Sequence, residues 1–145
     1  MRVETTATDT PNVGQWRDTT LRRNERTSWN ARQATGLWLA SSHPTLRSDA
    51  LQIVAELVAN VIQHVPGGQQ RDWVTLRLGF GNGFVRLEVI DPGTSDAEPR
   101  FTPPAGSLAE SGRGLGIVTG LSIRHGTDVI EDGHRIVWAD LAVVP

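Results

Sequence analysis

The sequence of 145 residues contains no cysteine, which excludes disulfides and thiolate metal sites. A zinc site would have to draw on the four histidines, His43, His64, His125 and His134, and none of them form a close ligand pair. No apolar run approaches the roughly 20 residues of a membrane span. The first residues are polar and threonine-rich and lack the apolar core of a signal peptide, so a cytoplasmic location is expected. Neither sign of charge is in excess. The formal net charge is −2, which gives no general attraction to nucleic acid or to an anionic membrane. A phosphate loop of the lysine-serine kind is missing, and so are internal repeats and low-complexity blocks.

What is present suffices for one domain with a proper core. Hydrophobic residues make up 38% and charged residues 21%, the balance of a globular chain and not of a disordered one. Residues 1–21 have little periodicity and read as a loose arm with Trp16 as its one large apolar residue; residues 22–145 read as the domain. A helical pattern follows from about Arg22 to Ala40, through Trp29, Gln33, Gly36 and Leu37. Arg22, Arg23, Arg26 and Arg32 lie along it, as a solvated face or as a surface for an acidic partner. Ser41 to Thr45 break the pattern around Pro44.

A second helix is expected from about Leu46 to Val65, with Leu51, Val54, Val58, Val61 and Val65 on one side. Pro66-Gly67-Gly68 ends it. Val74, Leu76, Leu78 and Phe80 alternate, Gly81-Asn82-Gly83 turns the chain, and Val85, Leu87 and Val89 alternate on the return, so a hairpin is expected. Thr94 to Ser111 is a long stretch rich in Pro, Gly, Ser and Ala, placed where a lid would sit. Gly112 to His125 is helical again, and Asp128–Ile130 and Arg135–Val143 read as two strands around an Asp132-Gly133 turn. The order predicts a two-layer α/β sandwich: a mixed, largely antiparallel sheet covered on one face by about three helices.

Three segments carry candidate chemistry. Glu56, Asn60 and His64 are each four apart and stack on one side of the second helix. A carboxylate and an amide one turn apart can aim at one small target such as a hydrated metal ion, although the same face is also an ordinary solvated one. Asp91-Pro92-Gly93 follows a strand; its carboxylate suits the exocyclic amine of a base and Gly93 the close approach of a flat ring, or the three residues are a simple turn. Gly112-Arg113-Gly114-Leu115-Gly116 opens a helix, where small residues and free N–H groups suit a phosphate. This loop is not the dinucleotide fingerprint, because Ile117 stands where the last glycine would fall and a long loop precedes it.

In combination the segments are more specific. ELVANVIQH, VIDPG and ESGRGLGIV resemble the N-box and the two glycine boxes of the GHKL (Bergerat-fold) ATP-binding superfamily. Within it, these motifs and the VWADL ending are most similar to the stand-alone serine/threonine kinases that act as anti-sigma factors, over roughly Arg26 to Val143. The resemblance implies that Glu56 is the general base and that Asn60 ligates Mg²⁺ bridging the ATP phosphates. It implies that Asp91 accepts from the adenine amine, that Gly93 lets the ring pack, and that Gly112, Gly114 and Gly116 hold the phosphates, with Arg113 and Leu115 in the same loop. Arg113 would add charge there. His64 follows the family wording and is assigned no chemistry.

The implied activity is transfer of the ATP γ-phosphate to a serine of an anti-anti-sigma antagonist protein that competes with a sigma factor; a homodimer is a common assembly in this branch. The alternative is a non-catalytic, nucleotide-dependent binding module that regulates a transcription partner. The ATP-binding domain of a histidine kinase would need a phospho-accepting hairpin from a partner chain. Two positions depart from the family pattern. Ser95 replaces the last glycine of the first box, and Ile136 stands where a threonine commonly helps to bind adenine. One lost hydrogen bond of about 0.5–1.5 kcal/mol would weaken ATP roughly tenfold at most.

Overall fold

The computed structural model describes residues 13–64, 72–91, 110–129 and 133–143. Residues 94–109 of the segment read as the lid, the turn after the second helix, and Gly93 lie outside the described residues, and residues 110 and 111 belong to a helix. Five strands and three helices follow in the order β1 (Gln15–Arg22), α1 (Thr27–Trp38), α2 (Pro44–His64), β2 (Trp73–Phe80), β3 (Phe84–Asp91), α3 (Glu110–Leu121), β4 (Arg124–Val129) and β5 (Arg135–Ala142). The sheet order is β1-β2-β3-β5-β4, and every neighbouring pair is antiparallel. The expected two-layer sandwich is therefore present, with no parallel pair among the described strands. None of the described helices is long and apolar enough to cross a membrane.

The first correction concerns the arm. Residues 15–22 are a full edge strand, paired from Gln15 opposite Phe80 to Arg22 opposite Trp73. Its residues are mostly polar, with Trp16 on one face and Leu21, which packs against the core, on the other, so alternation does not reveal it. The pairing is satisfied by the backbone instead, and threonines suit the pleated edge.

Helix α1 starts at Thr27, later than the pattern suggested, so Arg22 belongs to β1 and Arg23 and Arg26 to the turn. The Thr27 hydroxyl donates to the Arg22 carbonyl at 2.8 Å and accepts from the Asn24 N–H at 2.7 Å, which ties strand to helix. The buried stripe of α1 is Thr27, Ala31 and Thr35, not the stripe through Trp29 and Leu37, which lie exposed. Small residues let α1 approach α2 closely, and Thr35 satisfies its hydroxyl on the Ala31 carbonyl at 2.9 Å.

Helix α2 begins at Pro44, two residues before the expected start, because proline lacks the N–H that a first helical residue cannot use. His43 Nδ1 accepts the Thr45 N–H at 3.1 Å and supplies the cap. The core face is broader than expected: Ile53 and Leu57 join Val54, Val58 and Val61, all essentially inaccessible, and pack on Val74, Leu76, Leu78, Val85, Leu87, Val89, Val137, Ala139 and Leu141. Helix α3 ends at Leu121, so His125 lies in β4 and not in a helix. Gly133 at φ +76° makes the turn before β5.

Candidate functional site

Helix α2 runs along the central strand β3, and both carry candidate residues at the same end. At the other end, Leu46 and Asp49 of α2 share a cavity of about 590 Å³ with Phe80, Val85 and Ala142. From Leu46 to Asn60 the helix rises about 21 Å, at about 1.5 Å per residue. From Val85 to Asp91 the strand advances about 20 Å, at about 3.4 Å per residue. Asn60 and Asp91 therefore both lie toward the end of the sandwich away from that cavity.

The polar face of α2 is not simply solvated. Asn60 is only 7% exposed, and Glu56, one turn earlier, is half-buried. An amide held out of water is costly unless something accepts or coordinates it. Its carbonyl oxygen is a hard donor of the kind that suits Mg²⁺ beside several waters. Asp91 is 2% exposed, at the last position of β3, on the same side of the sheet as the core residues Val85, Leu87 and Val89. A buried carboxylate at a strand end can accept from a base amine, as the sequence suggested. The His64 side chain lies outside the described residues.

The glycine segment differs from expectation. Helix α3 begins at Glu110, so Gly112 lies in its first turn and Gly114 and Gly116 in its second, inside the helix and not in a loop before it. Only Gly112 falls among the first-turn N–H groups that lack an intrahelical acceptor. Gly114 and Gly116 are left with small size as their contribution. A Cβ at Gly116 would meet nothing within 4 Å among the described residues, so packing does not require glycine there. Glycine inside a helix costs about 1 kcal/mol relative to alanine, which favours a use other than folding. The side chains of Arg113 and Leu115 lie outside the described residues. Helix α3 packs against α2, so the glycines and the Glu56–Asn60 turn belong to neighbouring elements.

The register also moves one sequence expectation. Ile136 pairs across from Ile90 and Asp128, on the face away from the helices, and is fully buried there. It cannot stand beside Asp91. The residue directly across from Asp91 is Arg135, buried to 7% exposure. The sequence reading missed it, although its signal was present: Arg135, Val137, Ala139 and Leu141 alternate, and the last three are core.

The arrangement offers a carboxylate and an amide on one helix, a buried carboxylate with an arginine at a sheet end, and the glycine-bearing first turns of a second helix. These fit a magnesium-bound nucleotide: Asn60 for the metal, Asp91 for the base, Gly112 and Gly116 for the phosphates. Among the described residues no cluster of three or more His, Cys, Asp or Glu could hold a metal by itself. Comparison with known proteins gives one family model, described as a histidine kinase-like ATPase domain, which matches residues 12–139. A search of curated proteins finds no match.

Proposed function

The chain belongs to the histidine kinase-like ATPase family, and on that premise we propose that it is an ATP-dependent serine/threonine protein kinase of the anti-sigma type. It acts in the cytoplasm, holds ATP with Mg²⁺, and transfers the γ-phosphate to a serine of a small antagonist protein that competes with a sigma factor for it.

The supporting observation is the Glu56–Asn60 turn, half-buried and buried, toward the same end of the sandwich as buried Asp91. The coarser reading, an ATP-binding regulatory domain, follows from the family itself. For the finer one, Glu56 lies within one helical turn of the metal-side amide and takes the proton of the incoming serine hydroxyl. Asn60 positions the cation. Asp91 accepts from the adenine amine, and the first turn of α3 faces the phosphates with the positive end of its dipole. The bound nucleotide and metal supply the activated phosphoryl group and the positive charge that offsets its oxygens.

The test is calorimetric titration with ATP and Mg²⁺, followed by radiolabel transfer onto candidate antagonists. Glu56→Gln should leave ATP affinity nearly unchanged and lower phosphotransfer by about 10²–10⁴-fold. Asp91→Asn should weaken ATP. ATP binding without transfer, with Glu56→Gln neutral for partner binding, would replace the kinase by a nucleotide-dependent binding module.

A further inference from the structure

The base end of the site contains a cation that neither the motifs nor the family description assigns. Asp91 on β3 and Arg135 on β5 are directly opposed in the antiparallel register. Both side chains lie on the helix-covered side of the sheet. Val89 stands two residues before Asp91 and Val137 two after Arg135, and both valines are in the core. Directly opposed residues bring their Cβ atoms to about 4.5–5.5 Å. Both residues are buried, at 2% and 7% exposure, so neither charge is compensated by bulk water.

A guanidinium has five N–H donors in a fixed fork, and one carboxylate engages at most two of them along one edge. A guanidinium that meets one carboxylate can still donate to a third group from its other edge. The acceptor of Asp91 and the donors of Arg135 stand side by side. The edge of adenine carries the complementary pair, a donating amine at N6 next to an accepting ring nitrogen at N1.

We propose that Arg135 is a specificity-determining residue of the nucleotide site: it donates to N1 of adenine while Asp91 accepts from the N6 amine. The inference rests on the ATP-site reading above and adds a residue to it. It also removes the expected loss of an adenine-side hydrogen bond. Ile136 is turned to the other face, and the donor comes one position earlier, with a charge. A 6-oxopurine in the same pose sets a carbonyl against the carboxylate and an N–H against the guanidinium, so Asp91 and Arg135 together reject it.

The experiment is calorimetric titration of the full chain with Mg²⁺ and each of four nucleotides: ATP, 1-deaza-ATP, 7-deaza-ATP and inosine triphosphate. The wild type should bind 1-deaza-ATP about 10- to 100-fold more weakly than ATP, the range of a charged hydrogen bond. It should bind 7-deaza-ATP like ATP and reject inosine triphosphate. In Arg135→Met, ATP and 1-deaza-ATP should bind alike. Equal wild-type affinity for ATP and 1-deaza-ATP overturns the proposal, and so does a difference that persists in Arg135→Met. The wild-type arm decides even if that variant fails to fold. If the wild type binds none of the four, the nucleotide-site reading fails and the role of Arg135 falls with it.

Discussion

The Arg86 guanidinium lies 3.9 Å from the centre of the Trp138 ring, on the side of the sheet away from the helices. The same ring covers Gly126, its directly opposed neighbour on β4. A matching stack is built three strands from Trp138, where Trp16 of β1 covers Gly79 and carries Arg77 at 4.0 Å. Around these rings Arg86, Glu88 and Asp140 are buried on a face that no described helix covers. Each is paired: Arg86 to Asp140 through two bonds of 2.7 and 2.9 Å, Arg77 to Glu88 at 3.1 Å, and Arg124 to Asp140 at 2.9 Å. Two tryptophans and a row of arginines thus roof the second face of a two-layer sandwich, and cation–π contact adds to the covering area.

The roof makes Gly126 sensitive to any side chain. A Cβ there would come within 2.8 Å of Trp138 Cζ2 and 3.0 Å of Cε2, and the ring has no flexible end with which to yield. Gly126→Ala should destabilise by about 1–3 kcal/mol, the usual cost of overpacking. Gly120→Ala is the control, because a Cβ there meets nothing within 4 Å and alanine favours a helix. It should stabilise by about 0.5–1 kcal/mol. Urea denaturation of both variants checks the opposite signs.

Asp140 is the second sensitive point. It is fully buried and accepts from Arg86, itself buried, and from half-exposed Arg124. Asp140→Ala leaves the Arg86 charge in the interior without its carboxylate and should cost about 3–5 kcal/mol. Arg124→Ala removes a solvent-facing partner and should cost at most about 1 kcal/mol. Midpoints of chemical denaturation that fall equally for the two would contradict this account.

His125 sets a pH dependence. Burial in β4 pushes its imidazole below the ordinary value of 6.5, because the charged form loses water. As pH falls through about 6.5, the unfolded chain takes up this proton before the folded one does. Stability therefore declines from that pH downward to the folded value, and is insensitive to this group above it. His125→Gln should flatten this part of the stability curve between pH 7 and 5, measured by thermal unfolding in buffers of matched ionic strength.

Much of this architecture is legible in the chain, and the exceptions have physical causes. The β2–β3 hairpin is visible because Val74, Leu76, Leu78, Val85, Leu87 and Val89 alternate, and the same residues form the core. Glu56 and Asn60 are visible because helical spacing is local. β1 is invisible because an edge strand with Asp18, Thr20 and Arg22 on one face and Arg17 and Thr19 on the other shows no apolar period. Arg135 is missed because cross-strand register is nonlocal: a shift of one residue turns a side chain to the other face, and the family pattern marks Ile136 instead. The start of α3 at Glu110, two residues before the expected Gly112, escapes notice because Glu110 and Ser111 close a stretch rich in Pro, Gly, Ser and Ala.

Asn60 allows folding and binding to be separated. Its amide is 7% exposed beside Leu57 and Val61, which are core, so leucine fits the same position by size and polarity of the surroundings. Replacing a buried polar group by an apolar one of like shape is nearly neutral or stabilising when no protein bond depends on it. A residue kept only for folding would then show no gain in function from being polar. If Asn60 holds the cation, Asn60→Leu should leave stability within about 1 kcal/mol of wild type or raise it. ATP affinity should nevertheless fall at least about tenfold, an energy of about 1.4 kcal/mol. The residual binding should no longer respond to removal of Mg²⁺ by a chelator, whereas wild-type binding should weaken on the same treatment. Calorimetry with and without chelator, paired with denaturation of the same samples, reads both quantities. A variant that loses stability and keeps Mg²⁺-dependent ATP binding would make Asn60 a structural amide and move the metal to another ligand.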